Sequence, residues 1–201
     1  MKSLSEAEFL HWAEARDVGV ADGYPRSAHL VFRPDSGEDR FWCVPPEPHR
    51  RPHFIASLLD LMGDWQACCA WRHCGSWPNS ADPRRINDVV ELTILNGLGM
   101  PLGTADVVEF GRDERDKLIS LIFSTTIFGW SVNQDLYVVP NHGRYLLKTD
   151  HHDVIHISIR APGEVEHWES EMAKRGFPLP DDPPDETFKR PIWMKHPDGE
   201  S

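Results

Sequence analysis

Histidine and aspartate crowd into one short stretch of this chain, Asp150-His151-His152-Asp153, with His156 just beyond it and His142 just before. Imidazole and carboxylate are the groups that Zn²⁺ or non-haem Fe²⁺ takes as ligands, and they also serve general acid–base chemistry. Spacing limits what they can do. His151 and His152 are adjacent and diverge in an extended chain, whereas His152 and His156 share a face. A solvated hairpin turn accounts for the same residues, since Asp favours turns. Asp150, His151, His152, Asp153 and His156 are therefore read as binding candidates, with no metal or catalytic role assigned.

Other chemistry-bearing groups are weaker. Cys68, Cys69, His73 and Cys74 offer soft ligands, but a structural zinc site pairs one C-x₂₋₄-C knuckle with a second, and the chain has no second pair. Adjacent cysteines on a strand also face opposite ways, so buried, inert, reduced thiols are expected. The glycines at 97, 99 and 103 miss the G-x-G-x-x-G spacing, and Pro101 stands where a helix would open. There is no G-x-S-x-G motif. Trp42, Trp65, Trp71, Trp77 and Trp130 read as core or interface residues.

The elements that must position these groups are clearest between residues 130 and 176. A strand over 131–139 leads into the turn Pro140-Asn141-His142-Gly143, and residues 144–148 return as its partner. After Asp150–Asp153 the chain reverses into a third strand. There Ile155, Ile157 and Ile159 point one way and Val154, His156 and Ser158 the other, so one face is buried. Beyond Pro162, Val165, Trp168 and Met172 fall on one helical stripe that ends at Gly176 and covers the isoleucines.

Upstream, Ser5-Glu6-Ala7-Glu8 is a capping box, and Leu4 and Phe9 are placed as a hydrophobic staple across it, predicting a helix over 6–16. Residues 19–25 read as a loop, and 28–33 with 40–44 as hairpin arms around Pro34–Gly37. The proline-rich stretch 45–52 reads as extended, and Phe54, Ile55, Leu58, Leu59, Met62 and Trp65 set a helix from 53. A strand over 66–74 follows. Residues 86–95 satisfy either a buried strand or a helix face, 106–110 a strand, and Leu118, Ile119, Ile122 and Phe123 a helix ending before Thr125-Thr126-Ile127. This order, joined by hairpin turns, predicts an α+β fold: a single domain over 1–194, mainly antiparallel sheet with helices packed on one face. Residues 195–201 are expected to be a loose tail. Phe188, Ile192 and Trp193 are expected to pin the preceding stretch to the body.

Composition bounds the function. The 201 residues include eight tryptophans and are 40% apolar, enough for a core, and seventeen prolines stiffen the loops. The formal charge of −11 repels phosphate backbones and anionic lipid, so neither nucleic acid nor a membrane surface is the expected partner. Without a signal-like amino-terminal run, a stretch of ~18 apolar residues or a cysteine framework, a cytoplasmic location is expected. The leading expectation is a non-enzymatic acidic domain, an adaptor or an immunity-like inhibitor, that binds a basic protein and needs no cofactor. Its carboxylates are sought at Asp181, Asp182, Asp185 and Glu186 and on the last helix at Glu164, Glu166, Glu169 and Glu171. Two alternatives stand beside it: a metal-assisted hydrolase using the 150–156 cluster, and an aromatic-lined small-ligand binder.

Overall fold

The strand Val154–Ile159 divides its side chains as alternation demands. Ile155, Ile157 and Ile159 are fully buried, whereas His156 and Ser158 keep some exposure. It belongs to a computed structural model whose described residues are 1–23, 27–34, 36–72, 86–100, 107–132, 135–150 and 153–181. In chain order the elements are β1 (Lys2–Leu4), α1 (Glu6–Glu14), β2 (Val18–Gly23), β3 (Ser27–Phe32), β4 (Glu38–Cys43), α2 (Arg51–Leu61) and β5 (Ala67–Arg72). There follow α3 (Ile86–Gly97), β6 (Val107–Gly111), α4 (Arg115–Val132), β7 (Leu136–Pro140), β8 (Tyr145–Asp150), β9 (Val154–Ile159) and α5 (Val165–Lys174). Seven strands form one sheet in the order β1-β6-β5-β7-β8-β9-β4, antiparallel throughout, and β2 pairs with β3 as a separate hairpin. The architecture is α+β, as predicted. Among the described residues no helix is long and apolar enough to cross a membrane.

Because successive side chains alternate, each central strand feeds two cores. Cys68, Ala70, Val108, Phe110, Val138, Leu147 and the three isoleucines face a front core filled from α2, α4 and α5, to which α3 adds Leu95. Cys69, Trp71, Val107, Tyr137, Val139 and Leu146 face a back core closed by α1 and the β2–β3 hairpin. Thus α2 to α5 lie on one face, as expected, and α1 is the exception. Its buried stripe is only Phe9 and Ala13, narrow enough to share a layer with a hairpin. The capping box at Ser5 and Glu8 is formed, and the helix stops at Glu14, short of the expected 16.

The predicted meander is present as β7-β8-β9, and Val165, Trp168 and Met172 are buried against it. Its first turn closes with the Gly143 N–H donating to Pro140 O at 2.9 Å. Gly143 sits at φ +65°, and a Cβ there would stand 2.9 Å from the Arg16 carbonyl oxygen, so the segment just after α1 can approach this turn closely.

Four boundaries or pairings differ from expectation. Residues 28–33 and 40–44 do not pair with each other: β3 pairs with β2, in the supposed loop, and β4 pairs with β9. The register sets Val18 opposite Phe32 and Val20 opposite Leu30, joining apolar side chains, while Trp42 opposite Ile155 gains the deep front core. The stretch 45–52 is not wholly extended, since Pro48–Arg50 forms a 3₁₀ turn and Pro52 sits in the first turn of α2, where a missing N–H costs nothing. Helix α4 runs through Thr125 and Thr126 to Val132, so β7 starts at Leu136 rather than 131. Ser124, Thr125 and Thr126 donate to the carbonyls of Leu121, Ile122 and Phe123 at 2.7–2.8 Å, satisfying their hydroxyls inside the helix. Residues 86–95 are helical, as part of α3. The expected anchors Phe188, Ile192 and Trp193 and the tail 195–201 lie outside the described residues.

Candidate functional site

Antiparallel register builds the best-defined polar cluster. Tyr137, Lys148, His156 and Phe41, from β7, β8, β9 and β4, are successive register partners and so form one row across four strands. Direct partners of this kind have Cβ atoms about 4.5–5.5 Å apart. The row lies on the back face, because Tyr137 belongs to the back core. Asp150, two residues after Lys148, shares that face.

The charges interlock. The Lys148 ammonium is 3.0 Å from Asp135 Oδ2 and 3.4 Å from Asp150 Oδ2, and His156 Nε2 is 3.8 Å from the same Asp150 oxygen. The Asp135 and Asp150 side chains are only 12% and 16% accessible, and that of His156 38%. Tyr137 OH lies 3.0 Å from His29 Nδ1 on the hairpin, and the Phe41 and His156 rings are 6.4 Å apart. Burial holds the His156 pKa below the usual imidazole range, and Lys148 pushes it the same way against the pull of Asp150, Asp39 and Asp135. The lowered pKa favours the neutral imidazole at neutral pH, and Lys148 is the ammonium that bridges Asp135 and Asp150.

Of the residues read from sequence, Asp150 and His156 come together. Asp153 does not: it is exposed in the β8–β9 turn at φ +60°, a conformation Asp tolerates, with its carbonyl accepting the Val44 N–H at 2.8 Å. His151 and His152 lie outside the described residues. Glu164 and Glu166 are at the far end of β8, whose six residues span roughly 17 Å. Glu164 accepts a hydrogen bond from Tyr145 OH and lies 3.5 Å from Arg144, while Glu166 is exposed. The other carboxylates of α5 are committed within the chain, Glu169 to Arg40 and Glu171 to Lys174, each at 2.7 Å. Asp181 is exposed, and Asp182, Asp185 and Glu186 lie outside the described residues.

His142 occupies the opposite turn and is structural. Its Nε2 donates to Met62 O at 2.9 Å and its Nδ1 accepts the Arg144 N–H at 3.2 Å, which uses both nitrogens of the neutral ring. Burial lowers its pKa accordingly. Cys68 and Cys69 are buried on opposite faces, as expected, and burial pushes both thiols up, Cys69 to about 12. Cys43 is exposed, and His73 and Cys74 lie outside the described residues. Trp42, Trp65 and Trp71 are core residues.

No three His, Cys, Asp or Glu side chains among the described residues are grouped to hold a metal ion. At the cluster the Lys148 ammonium itself stands beside both carboxylates. Sequence reading missed Lys148, Asp135, Tyr137, His29 and Phe41. The alternation Lys148-Thr149-Asp150 could have supplied the first, had β8 been extended two residues beyond 148; the others require the tertiary arrangement. Comparison with family models, with curated proteins and with solved structures finds no match.

Proposed function

We propose that this protein is a non-catalytic binding domain, an adaptor or inhibitor, that receives a cationic side chain of a basic protein partner at the β8–β9–β4 part of the back face. One observation supports the reading: the carboxylates of Asp39, Asp135 and Asp150 all act on His156, which brings three acidic groups from separate parts of the chain to one part of the back face. The Asp135 and Asp150 carboxylates are partly shielded from water, where attraction for a guanidinium or ammonium is stronger than on an open surface, and Asp39 beside them is exposed to an incoming partner. The carboxylates at the start of α5 and along it are a poorer landing site, since Glu164, Glu169 and Glu171 already serve cations or a hydroxyl of the chain.

The test is association kinetics with the partner captured from the host. The association rate should fall from low to physiological salt, where the screening length shrinks to about 8 Å. Asp39→Asn, at an exposed position, should slow association several-fold, and Glu166→Gln on α5 should leave it unchanged. A salt-insensitive rate, or the reverse ranking of the two variants, would sink this assignment.

A further inference from the structure

Away from the aspartate cluster, the back layer holds an open cleft of about 440 Å³ between α1 and the β2–β3 hairpin. Leu10, Val18, Val20 and Leu30 supply apolar wall, and the exposed Glu14 and Arg33 also line it. Leu10 remains 37% exposed, one of two large apolar side chains so placed among the described residues. The volume falls within the roughly 300–1,000 Å³ of small-molecule sites, toward the lower end.

Two charges here lack the partners they would be expected to have. Asp17, also on the lining, is satisfied: its carboxylate is 3.3 Å from Arg160 and its carbonyl accepts from Arg33 N and Arg160 Nη2. Glu14 has no ion pair or side-chain hydrogen bond among the described residues. The Arg33 guanidinium donates from Nη2 to Val20 O at 2.6 Å and has no carboxylate partner among them. That bond lays the guanidinium across β2 at Gly19, where a Cβ would stand 2.1 Å from Arg33 Nε. Glycine at 19 thus makes room for a cation held beside the apolar wall of the cleft, with an uncommitted carboxylate on the opposing helix.

We propose that this cleft binds a small zwitterionic ligand of about dipeptide size with apolar side chains. The apolar body lies on Leu10, Val18, Val20 and Leu30; the ligand carboxylate pairs with Arg33 and its ammonium with Glu14. The site is distinct from the partner surface proposed above and goes beyond that reading.

Three probes with the same two leucyl side chains test it: leucyl-leucine, leucyl-leucinamide, which lacks the carboxylate, and N-acetyl-leucyl-leucine, which lacks the ammonium. Methyl NMR shifts at Leu10, Val20 and Leu30 report binding to the full chain. Leucyl-leucine should bind about tenfold more tightly than either analogue, as expected for loss of a charge-assisted contact. Arg33→Gln should remove its advantage over the amide alone, and Glu14→Gln its advantage over the acetyl form alone; both positions are exposed. Gly19→Ala should act like Arg33→Gln, because it displaces the guanidinium. Equal binding of the three probes, no methyl shift at millimolar probe, or variants that leave the ranking intact would overturn the proposal.

Discussion

The two faces of the seven-stranded sheet are built from alternate residues of the same strands, yet they do different work. The front face meets four helices and forms a continuous apolar core, in which Trp42, Trp65 and Trp168 are buried together with the β9 isoleucines. The back face is closed over β5, β6 and β7 by one short helix and a hairpin, and toward β4 it gives way to Lys148, Asp150, His156 and Phe41. A sheet covered by thick helices on one side can leave part of its other side to polar groups, because the front core carries most of the apolar burial. Both candidate binding features, the aspartate cluster and the α1–hairpin cleft, accordingly lie on the back.

The sharpest contrast between covered and uncovered surface should appear in thiol chemistry. In a Cys74→Ser background, Cys43 should react with a thiol reagent in the folded protein, whereas Cys68 and Cys69, buried and with raised pKa values, should react only on unfolding. Fast native labelling of Cys69 would mean that the back layer opens readily.

Adjacent residues of β8 compare the two cores directly. Leu147 is fully buried in front and Leu146 nearly so behind. Urea unfolding should give losses within about 2–5 kcal/mol for Leu→Ala at each, with Leu147→Ala the larger because the front packing has less room to collapse. Equal losses would erase the distinction between a rigid front and a thinner back. A smaller effect is expected at the back layer's own helix: Ser5→Ala removes the cap of α1 and should cost about 1 kcal/mol. Its effect should reach the Phe9 and Ala13 packing on the back face and leave amide exchange in the front core unaltered.

The mildest effect concerns pH. His142 and His156 both have lowered pKa values in the fold, chiefly through burial. The unfolded chain binds protons first, so their contribution is intact above about pH 6.5, the usual imidazole value, and is lost as pH falls through the folded values. Urea midpoints should therefore fall between neutral pH and pH 5. His142→Gln and His156→Gln should each flatten that fall, and unchanged slopes in both would contradict the burial assigned to them.

Much of the front face was legible because its signals are local. Period-two alternation placed the isoleucines of β9, a helical stripe placed Val165, Trp168 and Met172, and the turn at 140–143 joined β7 to β8. The back face was less legible, since Val18-Gly19-Val20 alternates too briefly to distinguish a strand from a loop. The front face had its own miss, where α4 continued through the β-branched Thr125 and Thr126, whose hydroxyls bond back to the helix. At the candidate site, Asp150 and His156 could be chosen from residue type, but Asp153 was chosen with them and points elsewhere, since a single turn residue at positive φ redirects the chain.

The sequence by itself determined the α+β class, the antiparallel meander, the helix that covers it and the opposite facing of Cys68 and Cys69, all of which follow from periodicities within a few residues. Tertiary structure decided which strands pair across long separations, that β4 closes the edge beside β9, and that Asp135 from β7's approach joins Lys148 and Asp150. It also decided that Arg33 lies over Gly19 beside an apolar cleft. These are long-range choices, set by how whole faces bury against one another, and no local pattern encodes them.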